Sequence, residues 1–293
     1  MSQAAVDDLI DLLDLESIEV NIFRGSSPKD DRQRVFGGQV AGQALVAAAR
    51  TVDDDRHVHS LHAYFLRPGD PTVPLLYEVD RIRDGRSFTT RRVVAIQHGQ
   101  AIFNLAASFQ VAEDGLEHSF PMPDVARPDG LPDRRERLAA YFEQRPDIAE
   151  PDGLAALLDR PQAIDTRIAD WSPADRAKSL PPYQHVWLRA DGTLPDDPLL
   201  HTIVLTYASD MTLLDTALLP HGGSWFDPGL KMASLDHAMW FHRRFRSDRW
   251  LLYSQDTPTA TNSRGLARGL VFTEEGTLVA SVVQEGLIRV VNR

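Results

Sequence analysis

No cysteine occurs anywhere in the chain. Disulfides, thiolate metal sites, iron–sulfur clusters and a cysteine nucleophile are excluded with it. Lysine is almost as scarce: Lys29, Lys178 and Lys231 are the only three, and arginine supplies the rest of the basic side chains. Positive charge is itself in deficit, with 31 Lys and Arg against 42 Asp and Glu and a formal charge of −11. A nucleic-acid partner needs a basic footprint and is not expected. A small anionic ligand feels only a local patch and is not excluded. Long apolar runs are missing too. The longest, Ala44–Ala49 and Leu278–Val283 (broken by Ser281), fall far below the ~20 residues of a membrane helix, so no membrane span is expected. The opening MSQAAVDDLIDLLD is acidic where a signal peptide is basic, and the closing VNR is not a peroxisomal tripeptide. A cytoplasmic location is the expectation.

Common catalytic signatures are absent as well. There is no P-loop, no G-x-G-x-x-G after a strand, no H-E-x-x-H and no G-x-S-x-G. Nucleotide hydrolysis, dinucleotide redox chemistry, zinc proteolysis and α/β-type serine hydrolysis are disfavoured accordingly. What is present is ordinary for a globular protein: 293 residues, 43% hydrophobic and 25% charged. That length suits one large domain or two of about 100–150 residues.

A seam and a repeat organise the chain. Ten of the 19 prolines fall between Pro121 and Pro182, around a short amphipathic helix, RRERLAAYFEQ. This stretch reads as a structured connector. On either side the same words recur at an offset of about 175 residues. SLHAYFLRPGD, LLYEV and GRSFTTRRVVAIQ in the first half answer to SLDHAMWFHRR, LLYSQ and NSRGLARGLVFTEEG in the second. A duplicated unit follows, with residues 1–112 as the first domain, 113–182 as connector and 183–293 as the second domain. Each half has one long helix followed by alternating β-branched strands, such as Phe88–Gln97 and Ala101–Gln110 around His98-Gly99-Gln100. The first helix, GGQVAGQALVAAAR, has small side chains that let a sheet approach. The second has Asp197 as N-cap and Pro198 at its first position, and is expected to run to the residues before Pro220. The fold class is α+β, a sheet wrapped round a helix in each half.

Few side chains carry a chemical signal. Asp210 shares a helix face with Ile203, Tyr207 and Leu214, where an unpartnered carboxylate would cost several kcal/mol or hold its proton. The alternatives are a local cap or a helix turned toward solvent. In MASLDHAMWFHRR, strand parity sends Ser234 and Asp236 to one face and His237 to the other, against a Ser/Asp/His triad. His237 and His242 read as structural. His57 and His59 share a face that His62 does not, which weighs against a metal site. Gln284 ends an apolar alternation (Leu278, Ala280, Val282), and a buried amide needs a backbone or catalytic partner. Arginines cluster near these elements: Arg81, Arg83, Arg86, Arg91 and Arg92 in one half, Arg243, Arg244, Arg246, Arg264 and Arg268 in the other. As a patch they suit phosphate; singly, most read as solvated.

Six words resemble the bacterial acyl-CoA thioesterase II family, the TesB-like double-hotdog enzymes. They are RQRVFGGQVAGQAL (Arg32–Leu45), HSLHAYFLRPGD (His59–Asp70), RDGRSFTTRRVVAIQ (Arg83–Gln97), LTYASDMTLL (Leu205–Leu214), SLDHAMWFHR (Ser234–Arg243) and VQEGLIR (Val283–Arg289). They stand in the family's order over nearly the whole chain; the connector, about residues 112–180, has no assured match. The resemblance implies two hotdog domains forming one continuous sheet, and hydrolysis of fatty acyl-CoA without metal or organic cofactor. It implies catalytic roles for Asp210, for Ser234 at a position that takes Thr or Ser, and for Gln284. Direct attack by a water held by these three is expected, since no histidine is placed to activate Ser234. A backbone N–H near the second-half helix or an adjoining strand would receive the carbonyl oxygen. The fatty chain would lie between helix and sheet, with the CoA phosphates near surface arginines. The first half, with no acid on its helix, is expected to keep a packing or binding role. Homo-oligomerisation, as dimer or tetramer, is expected through an exposed sheet edge or face. The alternatives are a non-catalytic acyl-CoA-binding protein, or a hotdog-type enoyl-CoA hydratase, for which His221 stands too far from Asp210.

Overall fold

The computed structural model describes residues 3–28, 33–145, 158, 161–172, 175 and 178–291. Arg32 and Lys29, and much of the connector's second half, lie outside the described residues. Each half is built on one central helix, α2 (Gly37–Ala49) and α4 (Pro198–Ser209), packed on the face of an antiparallel sheet. A short α1 (Gln3–Leu13) buries Val6, Leu9 and Leu13, with Leu13 against Gly42 of α2.

The first half contributes β1 (Glu16–Glu19), β2 (Ile22–Gly25), β3 (Arg56–Phe65), β4 (Leu75–Asp84), β5 (Phe88–Gln97) and β6 (Gln100–Val111). The second contributes β7 (Ile164–Ile168), β8 (Tyr183–Ala190), β9 (Leu230–Ser234), β10 (Asp236–Phe241), β11 (Leu251–Thr261), β12 (Arg264–Thr273) and β13 (Leu278–Val290). They form one sheet in the order β1-β2-β4-β5-β6-β3-β10-β13-β12-β11-β8-β7, with β9 on β13. The two halves meet at β3 and β10, antiparallel, with His62 opposite Ala238. Outward from that junction the order β3-β6-β5-β4-β2 is repeated as β10-β13-β12-β11-β8, so the duplication read in the sequence is a duplication of topology. The expected tight hairpin is found at His98 and Gly99, both at positive φ (49° and 70°), with Gln97 opposite Gln100.

α2 and α4 run antiparallel side by side. The small residues of α2 face α4 as well as the sheet: a Cβ on Gly38 would strike the carbonyl oxygen of Tyr207, and one on Gly42 would sit 3.7 Å from Ile203. The core lies between this helix pair and the sheet, from Leu45, Leu61, Val93 and Leu105 to Leu205, Met239 and Val282.

The connector is structured where it is described. Met122, Val125 and Leu131 pack on Trp187, Leu252 and Phe272, and Trp187 Nε1 donates to Ala126 O at 2.8 Å. The expected amphipathic helix is α3 (Arg134–Gln144), closed by a capping box between Asp133 and Glu136. β7 follows and pairs with β8, within the stretch read as connector.

Candidate active site

The second central helix is shorter than its sequence pattern. Asp197 caps it, accepting from Leu199 N at 2.9 Å, and Pro198 takes the first turn as expected. It stops at Ser209, however; Asp210 is its C-cap (φ −81°, ψ −4°), and a 3-10 segment, Leu214–His221, takes up the remaining apolar residues with Pro220 inside it. One stripe of hydroxyls offers the reason. Thr202, Thr206 and Ser209 each donate back to a carbonyl of the preceding turn, at 2.9 Å, which weakens a helix. Asp210 therefore leaves the end of α4 rather than lying mid-face with Leu214.

Its carboxylate is enclosed by three elements. Gln284 Nε2 of β13 donates to Asp210 Oδ1 at 2.6 Å, and Ser234 Oγ of β9 donates to the same oxygen at 3.2 Å. Gln284 Nε2 also reaches Ser234 Oγ at 2.9 Å, closing a triangle. A third contact to the carboxylate comes from the other half: the backbone N–H of Gly38, in the first turn of α2, donates to it. Burial pushes the Asp210 carboxyl up to about 6, against the opposing pull of the Gln284, Ser234 and Gly38 hydrogen bonds. Gln284 is wholly buried and its Oε1 has no hydrogen-bond partner among the described residues.

A bulge between β9 and β10 sets Ser234. Across β13 the register changes by one residue between Ser234 (opposite Gly286) and Ala238 (opposite Val283). Glu285 N donates to the Asp236 side chain at 2.6 Å in place of a ladder bond. The simple parity of the sequence reading is thus corrected. Ser234 faces the end of α4, as does His237, whose Nε2 lies 2.8 Å from Ser209 Oγ. Burial lowers His237 to about 4, so it is neutral near pH 7. A second bulge, between Val58 and Ser60 of β3, corrects the histidine parity in the same way. His57, His59 and His62 all turn from the core. His59 meets Ser108 Oγ at 2.8 Å and His62 packs edge-on against Trp240, and no metal-binding group of residues occurs among the described ones. His221 is exposed at the end of the 3-10 segment.

The arginine patch largely neutralises itself. Arg92 pairs with Asp80, Arg264 with Glu285, Arg268 with Asp256, Arg246 with Asp248 and Asp196, and Arg243 with Glu117. Arg91 is buried and serves α2, donating to Thr51 Oγ1 at 2.8 Å and to Thr51 O at 2.9 Å.

Gly37 and Gly38 went unrecognised as site residues in the sequence. The available sign was a helix that opens on two glycines behind Phe36, which makes no side-chain cap. A Cβ at Gly37 would stand 2.6 Å from Asp210 Oδ2, so the close approach of the acid requires glycine there.

A helix cradled by an antiparallel sheet, twice in one chain, is the build of a double hotdog. The family profile of the acyl-CoA thioesterase N-terminal domain matches residues 26–110, and that of acyl-CoA thioesterase matches residues 165–287. Human acyl-coenzyme A thioesterase 8 is 42% identical over 285 residues, 95% of this chain and 88% of its own length. Acyl-CoA thioesterase 2 of Haemophilus influenzae is 40% identical over 284 residues, 97% of this chain and 98% of that one. Among solved structures, an acyl-CoA thioesterase II of Mycobacterium marinum superposes with a TM-score of 0.79 at 46% identity, covering 97% of this chain and 99% of that chain. A hot dog protein from Alicyclobacillus acidocaldarius, at 18% identity and TM-score 0.76, shares the fold alone. The chain belongs to the acyl-CoA thioesterase family of thioester hydrolases. No helix among the described residues is long and apolar enough to cross a membrane.

Proposed function

We propose that the protein hydrolyses fatty acyl-CoA to free fatty acid and CoA by direct attack of a water held by Asp210, Ser234 and Gln284. The observation that carries this reading is the closed triangle of hydrogen bonds around Asp210 Oδ1, made by Gln284 at 2.6 Å and Ser234 at 3.2 Å. A carboxylate raised to about 6 is ionised at neutral pH and still basic enough to take a proton. The water oxygen bonds to the thioester carbon as Asp210 accepts one of its protons, and the carbonyl electrons move on to oxygen. On collapse the C–S bond breaks, its electron pair leaves with sulfur, and Asp210 returns the proton to the thiolate. Gln284 Oε1, buried and unpartnered in the protein, is the acceptor available to orient the water's second proton.

The oxyanion needs donors, and the nearest helix N-terminus is that of α2. Apart from Gly38, whose N–H goes to Asp210, its first N–H groups have no intrahelical partner and no side-chain cap. This N-terminus lies against the end of the second-half helix, and in this reading the expected donor near that helix comes from the first half. Ser234 Oγ has Asp210 and Gln284 as its described partners and no histidine beside it, which favours water over an acyl-enzyme. A recess of about 240 Å3, lined by Leu138, Tyr141, Trp171 and Phe226, opens beside Met211 and Thr212, the two residues that follow Asp210 in the chain. It is the candidate for part of the acyl chain's path. The reading includes a cytoplasmic location and a homo-oligomer, dimer or tetramer, which fractionation and light scattering of the native protein measure.

The test is release of free CoA thiol from a panel of acyl-CoAs by the wild type and by Asp210→Asn. A loss of about 100-fold or more is expected for removal of a positioned base. Survival of the activity would move the chemistry to another residue. Binding without thiol release from any acyl-CoA would favour the non-catalytic acyl-CoA-binding reading.

A further inference from the structure

The antiparallel helix pair and the antiparallel β3–β10 junction relate the two halves by a pseudo-twofold that exchanges the ends of the pair. At one end the last turn of α4 and the first turn of α2 hold Asp210. The operation carries that place to the other end, where the last turn of α2 meets the first turn of α4. The ladders identify the counterparts. Arg50 is the C-cap of α2 as Asp210 is of α4. Ala107 opposes Arg91 between β5 and β6 as Gln284 opposes Ala267 between β12 and β13. Two residues further along, Val58 opposes Phe109 as Ser234 opposes Gly286. Acid, amide and hydroxyl are all gone from the twin. Arg91 supplies, from the neighbouring strand, the bulk that Gln284 supplies in the second half.

The hollow nevertheless persists. A cleft of about 620 Å3 opens there, bounded by Ala49 at the end of α2, Arg56 and His57 of β3, Gln110 of β6, Leu199 of α4 and Arg244. Its size is that of a small-molecule site. By the 1.5 Å rise of a helix, it lies about 18 Å from Asp210, one length of α2 away. Asp53, Asp54, Asp197 and Glu113 also line it, yet the arginines are not spent on them. Arg56 Nε and Nη1 are buried without a hydrogen-bond partner, and the one ion-pair contact described for Arg56, Asp55 at 3.7 Å, is too long for a hydrogen bond. Arg244 is exposed, and its described partner is the ring of His57 at 3.3 Å, which leaves its charge uncompensated. Arg56 Nη2 donates to Arg86 O at 3.2 Å, which leaves its other two nitrogens, with the Arg244 guanidinium, as donors at a cleft of mixed polar and apolar walls, an arrangement that suits a phosphate-bearing ligand.

We propose that this cleft is a second, non-hydrolytic site for the CoA moiety, with its phosphates beside Arg56 and Arg244. The duplicate unit lost the hydrolytic trio and kept the ligand. The inference rests on the acyl-CoA reading of the Asp210 site, which thiol release by the same preparation checks independently. Its test is calorimetric titration of the wild-type protein with free CoA, expected to give two equivalents per chain. Arg244→Glu is expected to bind one equivalent, while its kcat/KM at low acyl-CoA stays within about twofold of wild type. Leu199→Trp, which fills the cleft wall without touching charge, is expected to do the same. Asp210→Asn should still bind two. One equivalent in the wild type, or two in both cleft variants, overturns the proposal. Repeating the titration with a thioether analogue of an acyl-CoA separates the sources: two equivalents mean that the cleft admits the acylated form, and one means that it takes free CoA alone.

Discussion

The backbone N–H of Gly38 donates to the carboxylate of Asp210, so the half of the chain without an acid helps to hold the acid of the other. The contact requires the helix start to come within reach of the carboxylate, and the glycine pair allows it. A Cβ at Gly37 would lie 2.6 Å from Asp210 Oδ2 and 2.8 Å from Phe65 Cε1. Gly37→Ala is therefore expected to displace the carboxylate, lowering kcat by about tenfold or more, with an overpacking cost of about 1–3 kcal/mol. Thiol release and a thermal melt measure both effects. A variant with wild-type kcat would mean that the carboxylate does not depend on this approach.

Activity should follow the ionisation of Asp210. With its pKa at about 6, kcat/KM is expected to fall about tenfold per pH unit on the acid side of that value and to level off above it. A profile flat from pH 5 to 8 would contradict the base role.

Stability should move in the opposite sense. The folded state holds the Asp210 proton more tightly than the unfolded chain, whose value is near 3.8. Between about 4 and 6 the native state binds more protons, so this group's contribution declines as pH rises through that window. Asp210→Asn, which removes the buried charge, is expected to be more stable than wild type at pH 8 by on the order of 1–3 kcal/mol. The difference should close near pH 4. Urea unfolding at the two pH values reads it directly; a gap that widens in acid would reverse the sign of the argument.

Gln284 is testable by size and by charge. Gln284→Ala removes the shorter of the two side-chain bonds to Asp210 and is expected to lower kcat by about 10–100-fold. Gln284→Glu places a second carboxyl against the first, which raises the apparent pKa of the pair. The acid limb of its rate profile should move above that of the wild type. If both variants keep the wild-type profile, the amide has no part in holding the acid.

Arg91 separates the two ends of the molecule. Its guanidinium is 2% exposed and ties Thr51 to Asp84. Arg91→Ala should cost about 2–4 kcal/mol through a cavity and an unmet carbonyl. Lysine lacks the forked donors and should not rescue it. kcat/KM is expected to stay within about twofold of wild type wherever the variant is folded, since Arg91 sits beside the last turn of α2 and Asp210 beside the first. Chemical denaturation and thiol release on one preparation measure the two together.

Periodicity and repetition are local properties, and they were enough for the duplicated units, the Phe88–Gln97 strand, the Asp197 cap and the connector helix. Strand alternation likewise singled out Gln284, and an acid among apolar residues singled out Asp210. The family resemblance added Ser234, whose own strand parity pointed elsewhere. That parity failed at both bulges because a bulge is dictated by pairing with another strand, which no window of sequence contains. The end of α4 was misread for a related reason: an apolar pattern continues through Leu214–Leu219 whether the backbone is α-helical or 3-10.

The sequence by itself determined that this is a cysteine-free, acidic, duplicated α+β chain, with its acid, hydroxyl and amide all in the second half. Only the tertiary structure decided that these three converge, that the first half lends them the N-terminus of α2, and that Arg91 stands beside the last turn of α2 where the second half has its amide. Those relations join residues far apart in the chain, and their distances are fixed by the packing of two helices against one continuous sheet.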